Sequence, residues 1–272
     1  MEWREICLME SIMSYCHNQF IGEAAKDTDM YKYISEVHTL TKIHDIITPG
    51  VEKVRIGNDC DGGYIMAKPY SRKKIAYSFG ISADVSWDLQ MADEGYQIYQ
   101  YDHTISKLPV RNKAFHWEKL GLTGGEETGS LKTLKTLLIK NGHKNESGMV
   151  MKIDIESSEW DVFANVDTNT LGQFDQIVAE FHFHNLQSIG SSMINKHLQA
   201  LKKIAESFVA VHVHINNYGN VYYCGDLMLP MALELTFVKR DLFEVAPSAA
   251  TFPNSSLDRP NNGYADIMIG RW

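Results

Sequence analysis

The sequence predicts an α/β protein in which a mostly parallel sheet carries helices on both faces. Between residues 75 and about 215, short apolar runs alternate with segments of helical periodicity, which is the pattern of a parallel sheet. The run at residues 149–153 is apolar except for one lysine, as expected of a strand buried on both faces. No internal repeat, low-complexity segment or linker divides this region, so we expect one domain there.

The region before the alternating segment predicts helices and then a hairpin. Apolar residues recur at helical spacing from Trp3 to Met13 and again from Tyr33 to Ile43, so we expect a helical addition over residues 1–48. This addition would cap the main domain, residues 49–272, or pair two subunits as a homodimer. Next, VEKVRIG and GGYIMAK flank a turn rich in Asn, Asp and Gly, which predicts a β-hairpin.

The alternating region supplies the strands and helices of the main domain. The predicted strands are KKIAYSFGIS, YQIYQYDHT, KAFHWEKLGLTG, GMVMKIDIE, FDQIVAEFHFH and VAVHVHINN. The predicted helices are DVSWDLQMADEG, GSLKTLKTLLIKNG, SSEWDVFANV and SSMINKHLQALKKIAESF, with Asp84 and Ser130 near two helix starts. Two further strand-like runs, ALELTFVKRDLF and YADIMIGRW, follow towards the C-terminus.

Composition narrows the classes of function. The chain of 272 residues has a formal net charge of −8, which does not suggest a broad basic surface for nucleic acid. No apolar run approaches the roughly 20 residues of a membrane helix. The N-terminal residues lack the basic-then-apolar pattern of a signal peptide, so we expect a cytoplasmic protein.

The ends of the first two strands predict a nucleoside site, because ligands of parallel sheets bind beyond the carboxyl ends of strands. Gly80 lets a ligand approach the backbone, and Asp102 follows it at the spacing of a carboxylate that accepts ribose hydroxyls. The segment SFGISADVS has one glycine, so the G-x-G-x-x-G cradle for a pyrophosphate is absent. A nucleoside ligand without phosphates, such as S-adenosylmethionine, therefore fits better than NAD.

Two histidine tracts lie at the ends of the fifth and sixth predicted strands. Period-two spacing places Glu180, His182 and His184 on one strand face, and His212 with His214 on a face of another. Asp154, Glu180 and His214 could bind a divalent cation. Alternatively, His182 or His214 could act as a metal-free base oriented by a carboxylate, or these side chains could simply hold neighbouring loops together.

The acidic burst after the fourth strand divides into two pairs. Asp154 and Glu156 stand at the strand end, where Glu156 could contact the methionyl amine of the cofactor or the acceptor. Glu159 and Asp161 fall in the first turn of the next helix, where acidic residues are stabilised by the helix N-terminus. We therefore expect a functional role for the first pair and a structural role for the second.

Five segments in this order resemble the FkbM-type S-adenosylmethionine-dependent methyltransferases, and most closely their bacterial capsule and surface-polysaccharide branch. The resemblance covers roughly residues 50 to 240, and Ser157 stands where the family pattern K-I-D-I-E-G-x-E has glycine. The segments are RIGNDCDGGYIM, YSFGISADVSWD, MKIDIESSEWDVF, VAEFHFHN, and VHVHINNYGN followed by LELTFVKR.

This resemblance implies a class I methyltransferase (Rossmann-like) sheet with a final antiparallel strand. It implies that Asp102 contacts the ribose and that the segment DGGY lies against the cofactor or the substrate. The expected cofactor-binding residues are Asp61, Gly63, Tyr64, Ser78, Phe79, Gly80, Asp102, Asp154 and Glu156, and the catalytic candidates are Asp154, His182 and His214.

The expected function is therefore S-adenosylmethionine-dependent O-methylation of a sugar hydroxyl. The acceptor would be a nucleotide-linked sugar or a surface or capsular polysaccharide precursor, and this sugar class rests on the resemblance. Two alternatives remain open on the sequence: an NAD-dependent oxidoreductase, and a non-catalytic module that binds a glycan or a nucleotide.

Overall fold

The structure is a computed structural model that describes residues 20–21, 26, 28–183 and 186–272. The strands are β1 (Phe20–Ile21), β2 (His44–Ile46), β3 (Glu52–Ile56), β4 (Tyr64–Lys68), β5 (Ile75–Phe79), β6 (Gln97–Tyr101), β7 (Phe115–Glu118), β8 (Gly121–Leu122), β9 (Leu131–Lys132), β10 (Met149–Ile153), β11 (Phe174–His182), β12 (Phe208–Ile215), β13 (Val221–Cys224), β14 (Leu227–Pro230), β15 (Ala232–Lys239) and β16 (Val245–Pro247). The helices are α1 (Asp29–Leu40), α2 (Ser86–Asp93), α3 (Leu134–Lys140), α4 (Glu159–Asn165), α5 (Thr168–Leu171) and α6 (Ser191–Ser207).

Seven strands form the central sheet in the order β12-β15-β11-β10-β5-β6-β7. Strand β15 runs antiparallel to both of its neighbours, while the other pairs in the sheet are parallel. This is the class I methyltransferase fold that the resemblance implies, and it confirms the prediction of a mostly parallel sheet. Strand β15 lies between β11 and β12, so these two strands are not neighbours.

Alternating residues of the central strands belong to two separate hydrophobic clusters, one on each face of the sheet. Ala76 and Val150 pack with Trp87 and Met91 of α2 on one face of the sheet. Residues one position further along these strands, such as Tyr77, pack into a larger cluster with α3, α4 and α6 on the other face. Helices therefore cover both faces, as predicted from the alternation of elements.

The hairpin and part of the N-terminal addition lie against this sheet. Strands β3 and β4 pair antiparallel, which confirms the predicted hairpin. Helix α1 confirms the second N-terminal helix, and its residues Tyr33, Ile34 and Val37 belong to the larger hydrophobic cluster. The helix predicted from Trp3 to Met13 lies outside the described residues.

Some predicted bounds differ from the structure. Helix α3 begins after Thr133, whose side chain accepts a hydrogen bond from the N–H of Thr136, rather than near Ser130. Asp84 precedes α2 by two residues and accepts a hydrogen bond from the Ser86 N–H. The predicted strand YADIMIGRW is wrong, since this segment contributes only an isolated bridge between Gly270 and Phe252.

Candidate active site at the carboxyl ends of the strands

A cavity of about 640 Å³ opens at the carboxyl ends of β5, β6 and β10. Its walls come from the loops that follow these three strands, from the turn between β3 and β4, and from residues of β8 and β9. The lining residues that the sequence singles out are Asp61, Tyr64, Gly80, Asp102, Asp154 and Glu156. This is the place where parallel α/β sheets bind ligands, because the loops there diverge and leave a crevice.

At Gly80, the loop after β5 packs directly against the backbone of Asp154, which follows β10. Its φ is +78°, and a Cβ at this position would lie 1.6 Å from the backbone oxygen of Asp154. Lys152 adds a second link between the strands, because its Nζ donates to the Gly80 carbonyl at 2.9 Å. Only glycine fits here, since both the backbone conformation and the space exclude a side chain.

Asp102 lies in the cavity wall, but its carboxylate already organises the surrounding loops. Oδ2 accepts hydrogen bonds from the backbone N–H groups of Ile81 and Ser82, and Oδ1 accepts from the N–H and Oγ1 of Thr104. Burial opposes ionisation, but these donors outweigh it and hold the pKa of Asp102 below its ordinary value. The carboxylate is therefore ionised and fixed in position.

Strained backbone is concentrated around this cavity. Among the described residues, the non-glycine residues with positive φ are Ser82, Glu156 and Ser157, at 48°, 54° and 79°. Each conformation costs about 1–2 kcal/mol for a residue with a Cβ. Ser82 and Glu156 line the cavity, so the strain lies where a ligand would bind.

The remaining predicted cofactor residues are placed differently. Tyr64 lines the cavity and donates its hydroxyl to Asp154 Oδ2 at 3.2 Å, and Asp61 lies beside it in the wall. Ser78 and Phe79 are fully buried, and neither they nor Gly63 belong to the lining. These three residues therefore do not face the cavity in this structure.

A buried histidine connects the cavity to a group of carboxylates. His182 Nε2 lies 3.3 Å from Glu180 Oε1, 3.6 Å from Glu156 Oε2 and 3.9 Å from Asp154 Oδ1. On the other side of the ring, Nδ1 lies 3.1 Å from Glu159 Oε1. Four carboxylates thus surround one imidazole, and Asp154 and Glu156 form the edge of this group that faces the cavity.

Electrostatics couples the members of this group. Burial raises the pKa of Glu180, and the negative charge of Asp154 raises it further. Burial opposes the charged form of His182, but hydrogen bonds to Glu159 and Glu180 outweigh burial and raise its pKa above the ordinary value. While no metal ion is bound, these contacts favour the protonated ring, and a protonated imidazole cannot act as a base.

The predicted grouping of His214 with Asp154 and Glu180 is not what the structure shows. His214 Nδ1 lies 2.9 Å from Glu234 of β15, and its Nε2 lies 3.0 Å from Asp266. Burial opposes protonation of His214, but the charge of Glu234 and the hydrogen bond to Asp266 raise its pKa to about 10. Because β15 lies between β11 and β12, Glu234 takes the position next to Glu180 that His214 was expected to occupy.

The role of Glu159 was missed by the sequence analysis. Glu159 is fully buried, and Oε1 accepts hydrogen bonds from both the backbone N–H and the ring of His182. Its place in the first turn of α4 gave a sufficient local explanation for an acidic residue, so the pattern carried no signal of the long-range contact. Asp161, two residues later, forms an ion pair with Lys196 at 3.1 Å. His184 lies outside the described residues.

The chain is similar in sequence to two proteins described as methyltransferase-like. No protein-family model matches the chain. The human "Probable methyltransferase-like protein 24" is 23% identical over 186 residues, which cover 62% of this chain and 47% of that protein. Its rat counterpart is 23% identical over 187 residues, with the same coverage of both chains. The chain therefore spans about half the length of the curated relatives it matches.

Among solved structures, the SAM-dependent methyltransferase from Agrobacterium tumefaciens matches with a TM-score of 0.31 and 7% identity. The match covers 60% of this chain and 55% of that chain. Within the part of the chain that the structure describes, no helix has the length and apolar character required to cross a bilayer.

Proposed function

We propose that this protein is an S-adenosylmethionine-dependent O-methyltransferase. The observation that carries the proposal is the cavity beyond β5, β6 and β10, which Gly80 and Asp102 both line. The sheet order of a class I methyltransferase and the two methyltransferase-like relatives support the same reaction class.

The charge of the cavity favours this cofactor over NAD. The lining includes six carboxylates, and its cationic candidates are Lys152 and His103. S-adenosylmethionine carries a sulfonium and an ammonium group, which such a lining attracts, whereas the pyrophosphate of NAD would be repelled. For the same reason, the phosphates of a nucleotide-linked acceptor would have to lie outside this cavity.

We assign Asp102 to the ribose side of the cofactor. Four donors already occupy its oxygens, so a ribose hydroxyl would have to replace one of them. Thr104 Oγ1 is the one donor of the four that belongs to a rotatable side chain. Cofactor binding would therefore exchange this contact and leave the backbone contacts to Ile81 and Ser82 in place.

The acceptor would approach from the carboxylate side. In an in-line displacement, the hydroxyl oxygen forms a bond to the methyl carbon as the carbon–sulfur bond breaks, and the hydroxyl proton leaves. Asp154 and Glu156 line the cavity and both lie next to His182, so they are placed to take this proton. His182 would hold these carboxylates in position. His214 is held by Glu234 and Asp266 and does not reach the acceptor.

We further propose a sugar hydroxyl as the acceptor, in a nucleotide-linked sugar or a polysaccharide precursor. The support is the motif resemblance, together with a lining of carboxylates that can accept hydrogen bonds from several hydroxyl groups. The acidic lining favours the polysaccharide precursor, whose reacting sugar can enter without a phosphate.

Calorimetric titration of the full chain with S-adenosylhomocysteine and, separately, with NAD tests the proposal. We expect micromolar binding of S-adenosylhomocysteine, one molecule per chain, and no saturable binding of NAD. Binding of NAD without binding of S-adenosylhomocysteine would overturn the proposal. Methyl transfer from labelled cofactor to a panel of sugars and glycan precursors then tests the acceptor class.

A further inference from the structure

We propose that Asp154, Glu180 and His182 bind a divalent first-row transition-metal ion beside the cofactor cavity. The role given to this ion, polarising the acceptor hydroxyl, rests on the proposed function, whereas its binding can be tested alone. The site differs from the one expected from the sequence, because His182 replaces His214 as the nitrogen ligand. Binding of the ion at Nε2 would release the proton that the neighbouring carboxylates favour on this ring.

The positions of the ligand atoms fit one ion. One nitrogen of His182 and one oxygen each of Asp154 and Glu180 all lie within 4.8 Å of one another. Around an ion with bonds of about 2.1 Å, neighbouring ligand atoms stand roughly 3–4 Å apart. The measured separations of Nε2 from Glu180 and Asp154, 3.3 and 3.9 Å, lie in this range.

The histidine is held in the orientation that a metal ligand needs. Glu159, outside the three ligands, contacts His182 Nδ1 and its backbone N–H, so Nε2 is turned towards the carboxylates. Trp160 Nε1 donates to the carbonyl oxygen of His182 at 2.7 Å and fixes the backbone. A carboxylate on the far nitrogen of a ligating histidine is the usual supporting arrangement of metal sites.

The burial of Glu159 makes a purely local role insufficient. Its side chain is fully buried, and among the described residues its Oε2 has no hydrogen-bond partner. A helix N-terminus can stabilise a carboxylate that remains exposed. Burial of Glu159 without full hydrogen bonding therefore costs desolvation free energy that its position in the helix does not explain. Orientation of His182 gives this buried carboxylate a function.

The charge balance of the group calls for an additional cation. Glu180 is 4% exposed, and it contacts the ring of His182 and the side-chain amide of Asn216. The same imidazole also serves Asp154, Glu156 and Glu159. Buried carboxylates are normally paired or bound to a metal, and a cation beside Glu180 would allow it to be ionised together with Asp154.

A neighbouring carboxylate group shows the contrast. Asp61, Glu180 and Glu234 also come together, but this group contains no histidine. Amide groups already join its members: Asn216 donates to Asp61 and Glu180, and Asn261 donates to Asp61 and Glu234. The set with His182 offers mixed nitrogen and oxygen ligands, which suit Mn²⁺, Fe²⁺ or Zn²⁺.

With an ion in place, the cavity side would remain open for the acceptor. Asp154 lines the cavity, so an acceptor hydroxyl could complete the coordination there. The ion would lower the pKa of this hydroxyl, and the proton would pass to Glu156, the exposed carboxylate of the group. The products would be the methyl ether, S-adenosylhomocysteine and one proton.

The test is titration of the chelator-treated full chain with Mn²⁺, followed by calorimetry and electron paramagnetic resonance. We expect one ion per chain. Glu180→Gln and Asp154→Asn should each weaken binding at least tenfold, and Glu159→Gln should weaken it about 10- to 100-fold without removing a ligand. The matched control is Glu206→Gln, a surface carboxylate that contacts Thr168 and should bind Mn²⁺ normally.

Equal Mn²⁺ affinity in the original protein and the Glu180→Gln variant would overturn the site, as would the absence of a saturable site in the original protein. The second result does not depend on any variant folding correctly. S-adenosylhomocysteine affinity is measured on the same samples. Retained cofactor binding without metal binding would reject the metal site alone, whereas loss of both would reject the proposed function as well.

Discussion

The carboxylate of Glu159 accepts two hydrogen bonds from His182, one from the backbone N–H at 2.8 Å and one from ring Nδ1 at 3.1 Å. This contact joins the start of helix α4 to the end of strand β11 and fixes the direction of the imidazole. The contact thereby sets the position of the imidazole among the four carboxylates that surround it.

Removal of the Glu159 carboxylate should therefore destabilise the fold. We expect Glu159→Ala to lower the free energy of unfolding by about 3–5 kcal/mol, because it leaves the buried Nδ1 and backbone N–H of His182 without their acceptor. Urea denaturation monitored by circular dichroism measures the change. Glu156→Gln is the control, since that side chain is 81% exposed and should cost less than about 1 kcal/mol. Equal losses in both variants would contradict this account.

Gly80→Ala should abolish cofactor binding, because the new methyl group would overlap the backbone oxygen of Asp154. Gly95→Ala provides a matched control: Gly95 also has positive φ, at 88°, but nothing lies within 4 Å of its Cβ position. The control should lose about 1 kcal/mol of stability through backbone strain and keep its affinity for S-adenosylhomocysteine. If Gly80→Ala binds S-adenosylhomocysteine normally, Gly80 does not mark the cofactor site.

Ser157→Gly should stabilise the protein by about 1 kcal/mol. Ser157 has a φ of +79°, in the left-handed region where glycine has no steric penalty. The neighbouring Ser158→Gly should instead destabilise, since Ser158 has a φ of −74° and gains nothing from glycine. The free energies of unfolding of the two variants should thus change in opposite directions, and a loss of stability in Ser157→Gly would show that the serine hydroxyl is worth more than the strain.

The burial of His197 should make the protein less stable in mild acid. Its ring stacks on Trp160, and Nδ1 lies 2.6 Å from the hydroxyl of Tyr33. Burial lowers the pKa of His197 from 6.5 to about 4. The unfolded chain therefore binds a proton more readily, and stability present above about pH 6.5 is lost as the pH falls towards 4, by up to about 1.4 kcal/mol per pH unit.

Urea denaturation of the original protein and of His197→Gln between pH 7 and pH 4 tests this pH dependence. The variant should be less stable at pH 7 but should lose stability less steeply on acidification. Identical slopes for the two proteins would show that His197 is not the group responsible.

Local patterns were sufficient for much of the fold. Strand and helix periods identified the elements of the sheet, and the carboxyl-end rule led to Gly80 and Asp102, which the structure places in one cavity wall. The elements of the sheet could be predicted because each depends on residues close in sequence, whereas the roles of Gly80 and Asp102 in cofactor binding stay predictions.

The grouping of charged residues needed information that no local pattern carries. The sequence does not show that β15 lies between β11 and β12. His214 was therefore predicted to lie next to Glu180, whereas Glu234 of β15 lies between them. Glu159 was assigned to its helix because that explanation was adequate by itself. In both cases, the missing information was a contact between distant segments.

The insertion of β15 has a consequence for biosynthesis. Until residue 239 has left the ribosome, β11 and β12 cannot be joined, and each presents an unpaired edge to its surroundings. A nascent chain in this state exposes two apolar strands that can pair with other chains. The protein thus depends on its last long strand to close the sheet, and translational pausing before residue 232 should increase aggregation.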